Sequence, residues 1–225
     1  DVRIQSSVFL HIDSVHKVRE AYKMGITEFC LDVSMSRNGP ELERIREFRS
    51  TRPDIRIKLL ANHGCYQYCF YAPRHEDWLS LLELGKKIGK EKTPDALVWH
   101  LNYNCLFKPS DIADEIRRPF IRPEDVEFYE KHHLADYIKI AYRTDATPVL
   151  KKRMQAYFDR AYEGDLLDIA PSNLGRKSFA VWNKSFPAGF LKKLSYCGLR
   201  CDTCAYCSKV AARVVVAKSV SRRLR

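Results

Sequence analysis

Four cysteines near the carboxyl terminus have the spacing of a metal-binding motif. They are separated by gaps of three, two and two residues: Cys197, Cys201, Cys204 and Cys207. Gaps this short let successive thiolates turn toward one ion or cluster while backbone amides donate hydrogen bonds to the sulfur atoms. The motif therefore predicts a bound metal. We expect a four-iron, four-sulfur (4Fe-4S) cluster, with zinc as the alternative, because both accept four thiolates.

A second group of cysteines lies where predicted strands end. Cys65 and Cys69 follow a predicted strand at 55–61, and Cys105 follows another at 96–101. The carboxyl ends of parallel strands meet at one edge of a sheet, where ligands bind, so we expect these three thiols to approach one another. A cluster there would need one more ligand, from the C-terminal quartet or from a segment outside this sequence. A pair of buried structural cysteines is the alternative for the first two.

Four polar side chains beside these strand ends are candidates for contact with a substrate. His63 adjoins the first cysteine motif and His75 follows it. A histidine at such a place can be a ligand, a proton donor or a hydrogen-bond partner. Arg122 and Arg143 stand beside predicted strands, where they would bind an anionic substrate. Structural or solvated side chains are the alternative for all four.

The remaining motifs favour metal or redox chemistry over hydrolysis. The chain has eight cysteines, and we find no secretory signal, which argues against a disulfide framework. Cys30 lies in an apolar run and is expected in the core. The sequence contains no zinc-protease His-Glu-x-x-His motif, no Gly-x-Ser-x-Gly nucleophile elbow and no phosphate-binding glycine loop.

Strand-like apolar runs alternate with helix-like segments, which is typical of a parallel sheet covered by helices. Strands are predicted at 4–9, 27–33, 55–61, 96–101 and 137–141. Helices are predicted from Ser14 to Gly25, at 40–48 and 76–88, from Arg122, and at 148–162. These βα units are too few for an eight-stranded barrel. We therefore expect an α/β fold, an incomplete TIM-type barrel that lacks its first strands, and a doubly wound open sheet is the competing architecture.

Three regions follow from this pattern. Residues 1–163 form the partial barrel, and 164–207 form an irregular, Cys-rich extension because proline and glycine interrupt every run there. Residues 208–225 form a basic tail. The chain begins at Asp1, close to a predicted strand, so we expect either a missing N-terminal segment or a partner subunit to complete the fold.

Charge and hydropathy restrict the partners. The formal net charge is +11, and six cations follow Cys207 with no acid among them: Lys209, Arg213, Lys218, Arg222, Arg223 and Arg225. Such a tail can contact RNA phosphates, and a solvated tail or cloning remnant is the alternative. No apolar window of about 20 residues occurs. We expect a cytoplasmic protein without a membrane span.

Several motifs, taken in order, resemble one family. They are Ala61-Asn62-His63-Gly64-Cys65 with Cys69, Arg74-His75, Ile121 to Asp125, Ile138 to Arg143, Tyr162 to Leu167, and Ala205-Tyr206-Cys207. This set resembles the collagenase-like peptidases of unknown catalytic type, the peptidase U-32 family, over most of the chain from about Ile55 onward. One departure is Phe70, which follows Cys69 where the family usually has proline.

The resemblance implies a barrel-type scaffold and, in the better understood members, a 4Fe-4S cluster held by cysteines. Those members support oxygen-independent hydroxylation in quinone synthesis or on RNA bases. We therefore expect an iron-sulfur enzyme that modifies an aromatic or nucleobase substrate by hydroxylation or a related redox reaction. A collagenase-like peptidase and a non-enzymatic zinc module that binds RNA are the alternatives.

Overall fold

A parallel four-stranded sheet lies at the centre of the N-terminal two thirds of the protein in the computed structural model, which describes residues 3–87, 111–172 and 179–218. Its strands are β1 (Ile4–Gln5), β2 (Ile26–Cys30), β3 (Arg56–Leu60) and β4 (Tyr137–Lys139). They lie side by side in chain order, and each neighbouring pair is parallel. The carboxyl ends of all four strands therefore meet at one edge of the sheet.

Helices connect and cover these strands. The first three are α1 (Val15–Lys23), α2 (Gly39–Arg49) and α3 (Ala72–Lys87). They are followed by α4 (Ala113–Arg117), α5 (Val126–Lys131) and α6 (Thr147–Asp159). The predicted start signal Ser14 acts as expected, because its Oγ accepts a hydrogen bond from the Lys17 amide at 3.3 Å. Asn38, which was not predicted as a cap, accepts a hydrogen bond at the start of α2 just before Gly39 and Pro40.

The main core lies between the sheet and its helices. Phe29, Ile57 and Leu59 are fully buried on the strands, and Ile45 of α2 packs against them. Burying a side chain of this size stabilises the fold by about 1.5–3 kcal/mol. Cys30 is also fully buried, which confirms the prediction that it is a core residue.

A second core forms around the C-terminal third of the chain. Its elements are α7 (Leu166–Ile169), β5 (Phe179–Val181), α8 (Phe190–Ser195), α9 (Tyr206–Val214) and β6 (Val215–Ala217). Strands β5 and β6 pair antiparallel, and α9 packs against α4. Val214 and Ala211 of α9 are fully buried in this core. Residues 208–217, which lie in the predicted basic tail, thus belong to folded elements.

Buried polar groups tie the second core to the sheet. Asn62, directly after β3, accepts a hydrogen bond from the Ala141 amide at 2.7 Å and donates to the Ile169 carbonyl at 3.1 Å. Arg118 pairs with Glu115 at 2.9 Å, with both side chains almost completely buried. Arg118 also donates to the Pro171 carbonyl at 3.1 Å and to the Ala170 carbonyl at 3.3 Å. These bonds link the end of α4 to the segment after α7, and α7 to the end of β3.

The prediction of parallel βα units is confirmed. The described strands form an open array of four, and closure into a barrel stays a prediction, since the predicted strand at 96–101 lies outside the described residues. All four described strands of this sheet are shorter than predicted, and local capping explains the first two. The first ends at Gln5 because Ser7 caps a 3₁₀ turn, and the second ends at Cys30 because Asp32 caps another, Val33–Arg37. Within the described ranges, no helix is long and apolar enough to cross a membrane.

Candidate functional site

A cavity of about 190 Å³ brings the two cysteine motifs next to each other. The C-terminal motif contributes three cysteines to its wall: Cys197, Cys201 and Cys207. The opposite wall is the loop residues Tyr66, Gln67 and Tyr68, which lie between Cys65 and Cys69 in the sequence. We call this space the thiol cavity.

The C-terminal cysteines reach the thiol cavity through a tight turn between α8 and α9. The Cys197 amide donates to the Leu194 carbonyl at 3.3 Å, and the Cys201 amide donates to the Leu199 carbonyl at 2.9 Å. Gly198 and Leu199 take positive φ angles of 41° and 56°, a conformation that glycine adopts without strain. The turn therefore brings Cys197 and Cys201 to the wall of the same cavity. Cys204 lies in the same loop and is exposed.

Two arginines from distant parts of the chain line the same cavity. They are Arg37, at the end of the 3₁₀ turn after β2, and Arg117 of α4. Burial raises the pKa of the Cys207 thiol, and the positive charges of both arginines act in the opposite direction. Burial also lowers the pKa of Arg37 to about 10, so this guanidinium is charged at neutral pH. The cavity thus places two guanidinium groups beside a thiol that becomes an anion when it loses its proton.

Three polar atoms of the cavity wall have no hydrogen-bond partner among the described residues: Arg37 Nε, Arg117 Nε and Gln67 Oε1. The Gln67 amide nitrogen donates to the Ser34 carbonyl at 3.1 Å, which orients its oxygen away from Ser34. A buried polar atom without a partner costs about 1–3 kcal/mol. The wall therefore offers two donors and one acceptor to a ligand.

The described residues alone do not form a complete metal-binding site. Within 3–87, 111–172 and 179–218, no group of three or more His, Cys, Asp and Glu side chains already has the arrangement of one. The described cysteines form no disulfide with one another, and Cys105 lies outside the described residues. The donor set nevertheless fits a thiolate-bound metal in its chemistry, because soft sulfur ligands suit zinc and iron-sulfur clusters. The predicted metal ligands stay predictions.

Cys65 and Cys69 form a pair in the loop between β3 and α3. A hydrogen bond from Cys65 is the main cause that lowers the pKa of the Cys69 thiol to about 6, against the effect of burial. The amides of Tyr71 and Ala72, at the start of α3, lower it further. Cys69 is therefore mostly a thiolate at neutral pH in the metal-free protein.

The two predicted histidines lie beside this pair. The Cys65 amide donates to His63 Nδ1 at 3.2 Å, and burial lowers the pKa of His63 to about 4. His63 is therefore a neutral imidazole at physiological pH. His75, in the first turn of α3, interacts electrostatically with both Cys69 and His63. The structure thus brings these histidines together with the first cysteine motif.

The two predicted arginines are placed differently. Arg122 makes a two-pronged ion pair with Asp125, at 2.9 and 2.7 Å, and its guanidinium lies 4.9 Å from the centre of the Phe186 ring. These contacts give it a structural role. Arg143 is exposed after β4. Substrate binding by either arginine stays a prediction.

A charged cluster at the strand ends was not predicted. His11 follows β1, Asp32 follows β2, and Glu76 lies in α3 after β3. His11 Nδ1 is 2.9 Å from Asp32 Oδ2, and His11 Nε2 is 3.2 Å from Glu76 Oε2. Burial raises the pKa of Glu76 to about 7, and Asp32 adds to this rise. The carboxyl edge of the sheet therefore holds an imidazole between two carboxyl groups.

Local sequence patterns gave little indication of this cluster or of the arginines in the thiol cavity. Each of these residues lies outside the recognised motifs, and charged residues are usually exposed. One signal was available: His11 follows the strand predicted at 4–9 and Asp32 lies at the end of the strand predicted at 27–33, which is where ligand-binding residues collect. Arg37 and Arg117 had no such signal, because the other residues that line the cavity come from distant parts of the sequence.

Comparison with known proteins gave one distant relative, an uncharacterized protease of Methanocaldococcus jannaschii. The chain is 23% identical to it over 219 residues, which cover 96% of this chain and 62% of the relative. The chain thus spans less than two thirds of the length of this relative. No protein-family model and no solved structure matches the chain. The similarity to a protein named as a protease agrees with the resemblance to the U-32 peptidases.

Proposed function

We propose that this protein is an iron-sulfur protein whose cluster is held by cysteines of the thiol cavity. The observation that carries the proposal is the shared wall, in which three thiols face the same space as two guanidinium groups with unsatisfied donors. The reaction that we propose for it is an oxygen-independent hydroxylation or a related redox modification of an aromatic or nucleobase substrate.

The size of the thiol cavity favours a cluster over a single ion. A zinc ion bound by thiolates lies about 2.3 Å from each sulfur, so it needs little space beyond its ligands. The cavity of about 190 Å³ equals roughly six times the 30 Å³ that one water molecule occupies in the liquid. A polynuclear cluster fills this volume more completely than a single zinc ion does.

Cys197, Cys201 and Cys207 are the ligands that we propose for the cluster, and Cys204 of the same loop is the nearest candidate in the sequence for the fourth. When bound, the group would supply one-electron transfer. The chain would contribute the rest: Arg37 and Arg117 would offset negative charge, and Gln67 Oε1 would accept a hydrogen bond from a ligand hydroxyl or water. Cys65 and Cys69, with Cys105, remain the proposed ligands of a site at the strand ends.

The test is anaerobic purification followed by analysis of iron, acid-labile sulfide and zinc, together with a visible absorption spectrum. We expect iron and sulfide in equal amounts and a coloured protein. Zinc without colour would instead support the zinc module, whose RNA binding should then weaken steeply with salt. Protein with neither metal would contradict both.

A second candidate function is a thiol peptidase, which two observations favour. The distant relative is named as a protease, and Cys69 has a thiol pKa of about 6 beside His75. A thiolate of this kind is a strong nucleophile at neutral pH. The test is cleavage of gelatin by metal-free protein: a peptidase would lose activity in Cys69→Ser and keep it in Cys30→Ala, whose thiol is fully buried on β2.

A further inference from the structure

We propose that Arg37 and Arg117 donate hydrogen bonds from their Nε atoms to the sulfur atoms of the metal centre and thereby set its reduction potential. This inference rests on the proposed function, because it requires an iron-sulfur cluster in the thiol cavity. It assigns a role to two residues that belong to neither cysteine motif.

The hydrogen bonds of Arg117 leave one donor for the cavity. Its Nη1 lies 2.7 Å from Asp114 Oδ1, and its Nη2 lies 3.6 Å from Asp111 Oδ2. Both terminal nitrogens therefore face carboxylates, while Nε is buried without a partner among the described residues. The guanidinium also interacts electrostatically with Cys201. The ion pairs hold it in place before any ligand binds.

Arg37 repeats this arrangement on a second element. Its Nη1 donates to the Ile116 carbonyl at 2.6 Å and its Nη2 donates to the Phe120 carbonyl at 3.3 Å. Its guanidinium lies 4.3 Å from the centre of the Phe120 ring, and Nε is again buried without a partner within the described ranges. The nearby thiol is Cys207, with which it interacts electrostatically.

The two arginines thus share one geometry: terminal nitrogens fixed by the protein, Nε free, and a cysteine of the same motif nearby. Because the donors are already held in place, they lose little conformational freedom when sulfur anions arrive. A buried N–H donor without a partner is costly, and both arginines have such a donor at Nε among the described residues, so a negatively charged centre at this place would stabilise both at once.

The two arginines should shift the reduction potential of the cluster in one direction. Uptake of one electron makes a thiolate-ligated cluster more negative, and nearby cations and N–H donors stabilise the reduced form. Arg37 and Arg117 therefore raise the reduction potential. Removing one of them should lower it.

The experiment is an anaerobic potentiometric titration of the purified holoprotein with dithionite as the electron donor, followed by electron paramagnetic resonance. The test variant is Arg117→Gln, and the matched control is Arg213→Gln, which removes the same charge from the exposed face of α9. We expect the midpoint potential of the test variant to fall by about 59 mV or more, equal to a tenfold change in the one-electron equilibrium constant. The control should match the wild type.

A folded Arg117→Gln protein with full iron and an unchanged potential would overturn the inference and leave the proposed function intact. Wild-type protein without iron would overturn the proposed function, and the inference with it. Arg117→Lys keeps the charge and serves if the glutamine variant does not fold. Its potential should also fall, because lysine has no Nε donor at that position, and an unchanged potential in this variant would likewise contradict the inference.

Discussion

Among the described cysteines, Cys69 has a thiol pKa well below that of a free thiol in water. The hydrogen bond from Cys65, together with the first amides of α3, lowers its pKa to about 6. Such a group is deprotonated above pH 6 and protonated below it. The lowered pKa of Cys69 requires that neither Cys65 nor Cys69 is bound to a metal.

We predict that iodoacetamide alkylates Cys69 in metal-free protein with a midpoint near pH 6. Cys65→Ala removes the hydrogen-bond donor and should move this midpoint upward, whereas Cys65→Ser keeps a donor and should shift it less. Peptide mass spectrometry after timed alkylation between pH 5 and 9 measures each thiol separately. Cys30 is the internal control, since burial raises its thiol pKa and it should not react in the folded protein. An identical midpoint in all three proteins would contradict this account of Cys69.

At the scale of elements, the sequence patterns located the helices better than the ends of the strands. Helix α2 was predicted at 40–48 and spans Gly39–Arg49, because Asn38 and Pro40 are strong start signals. The first two strands end early because Ser7 and Asp32 accept hydrogen bonds from nearby amides and begin 3₁₀ turns. Apolar runs do not reveal such local competition from short polar side chains.

Asn62 belongs to a motif that can be recognised in the sequence, but its tertiary contacts cannot be predicted from that motif. It belongs to the sequence motif around Cys65, but its function is structural: it joins β3 to the segment after β4 and to α7 through two buried hydrogen bonds. The sequence placed Asn62 in this motif without assigning it a role. Its partners, Ala141 and Ile169, could not be read from the sequence because they come from distant segments.

We predict that Asn62→Ala destabilises the protein by about 2–4 kcal/mol, because it leaves one buried amide and one buried carbonyl without partners. Urea denaturation followed by circular dichroism measures the loss. The control is Gln155→Ala on the exposed face of α6, which should change the free energy of unfolding by less than about 0.5 kcal/mol. Equal effects in the two variants would mean that the hydrogen bonds of Asn62 do not hold these elements together.

For the whole molecule, the C-terminal third is a structural partner of the sheet. The sequence after Gly164 predicted an irregular extension and a tail, yet its described residues build a second core that includes α9 and β6. The wall of the thiol cavity combines residues from both halves, such as Arg37 and Cys207. Local patterns cannot predict contacts between segments so far apart, so the sequence indicated candidate ligands but not their surroundings.

We predict that Val214→Asp disrupts the second core and that Val216→Asp does not. Val214 is fully buried, whereas Val216 on β6 is 48% exposed. Placing an unpaired carboxylate at the first position should cost about 3 kcal/mol or more, and the second should stay near the wild-type value. Thermal unfolding compares the variants. If both unfold like the wild type, residues 206–217 are not an integral part of the fold.

The central claim is that cysteines of the thiol cavity hold an iron-sulfur cluster. The most direct measurement is the iron and sulfide content of anaerobically purified Cys207→Ser protein beside Cys30→Ala, since one thiol lines the cavity and the other is fully buried on β2, outside the cavity wall. We expect the first variant to lose most of its iron and colour and the second to keep both. A Cys207→Ser protein with the full iron content of the wild type, or a wild type without iron, would contradict it.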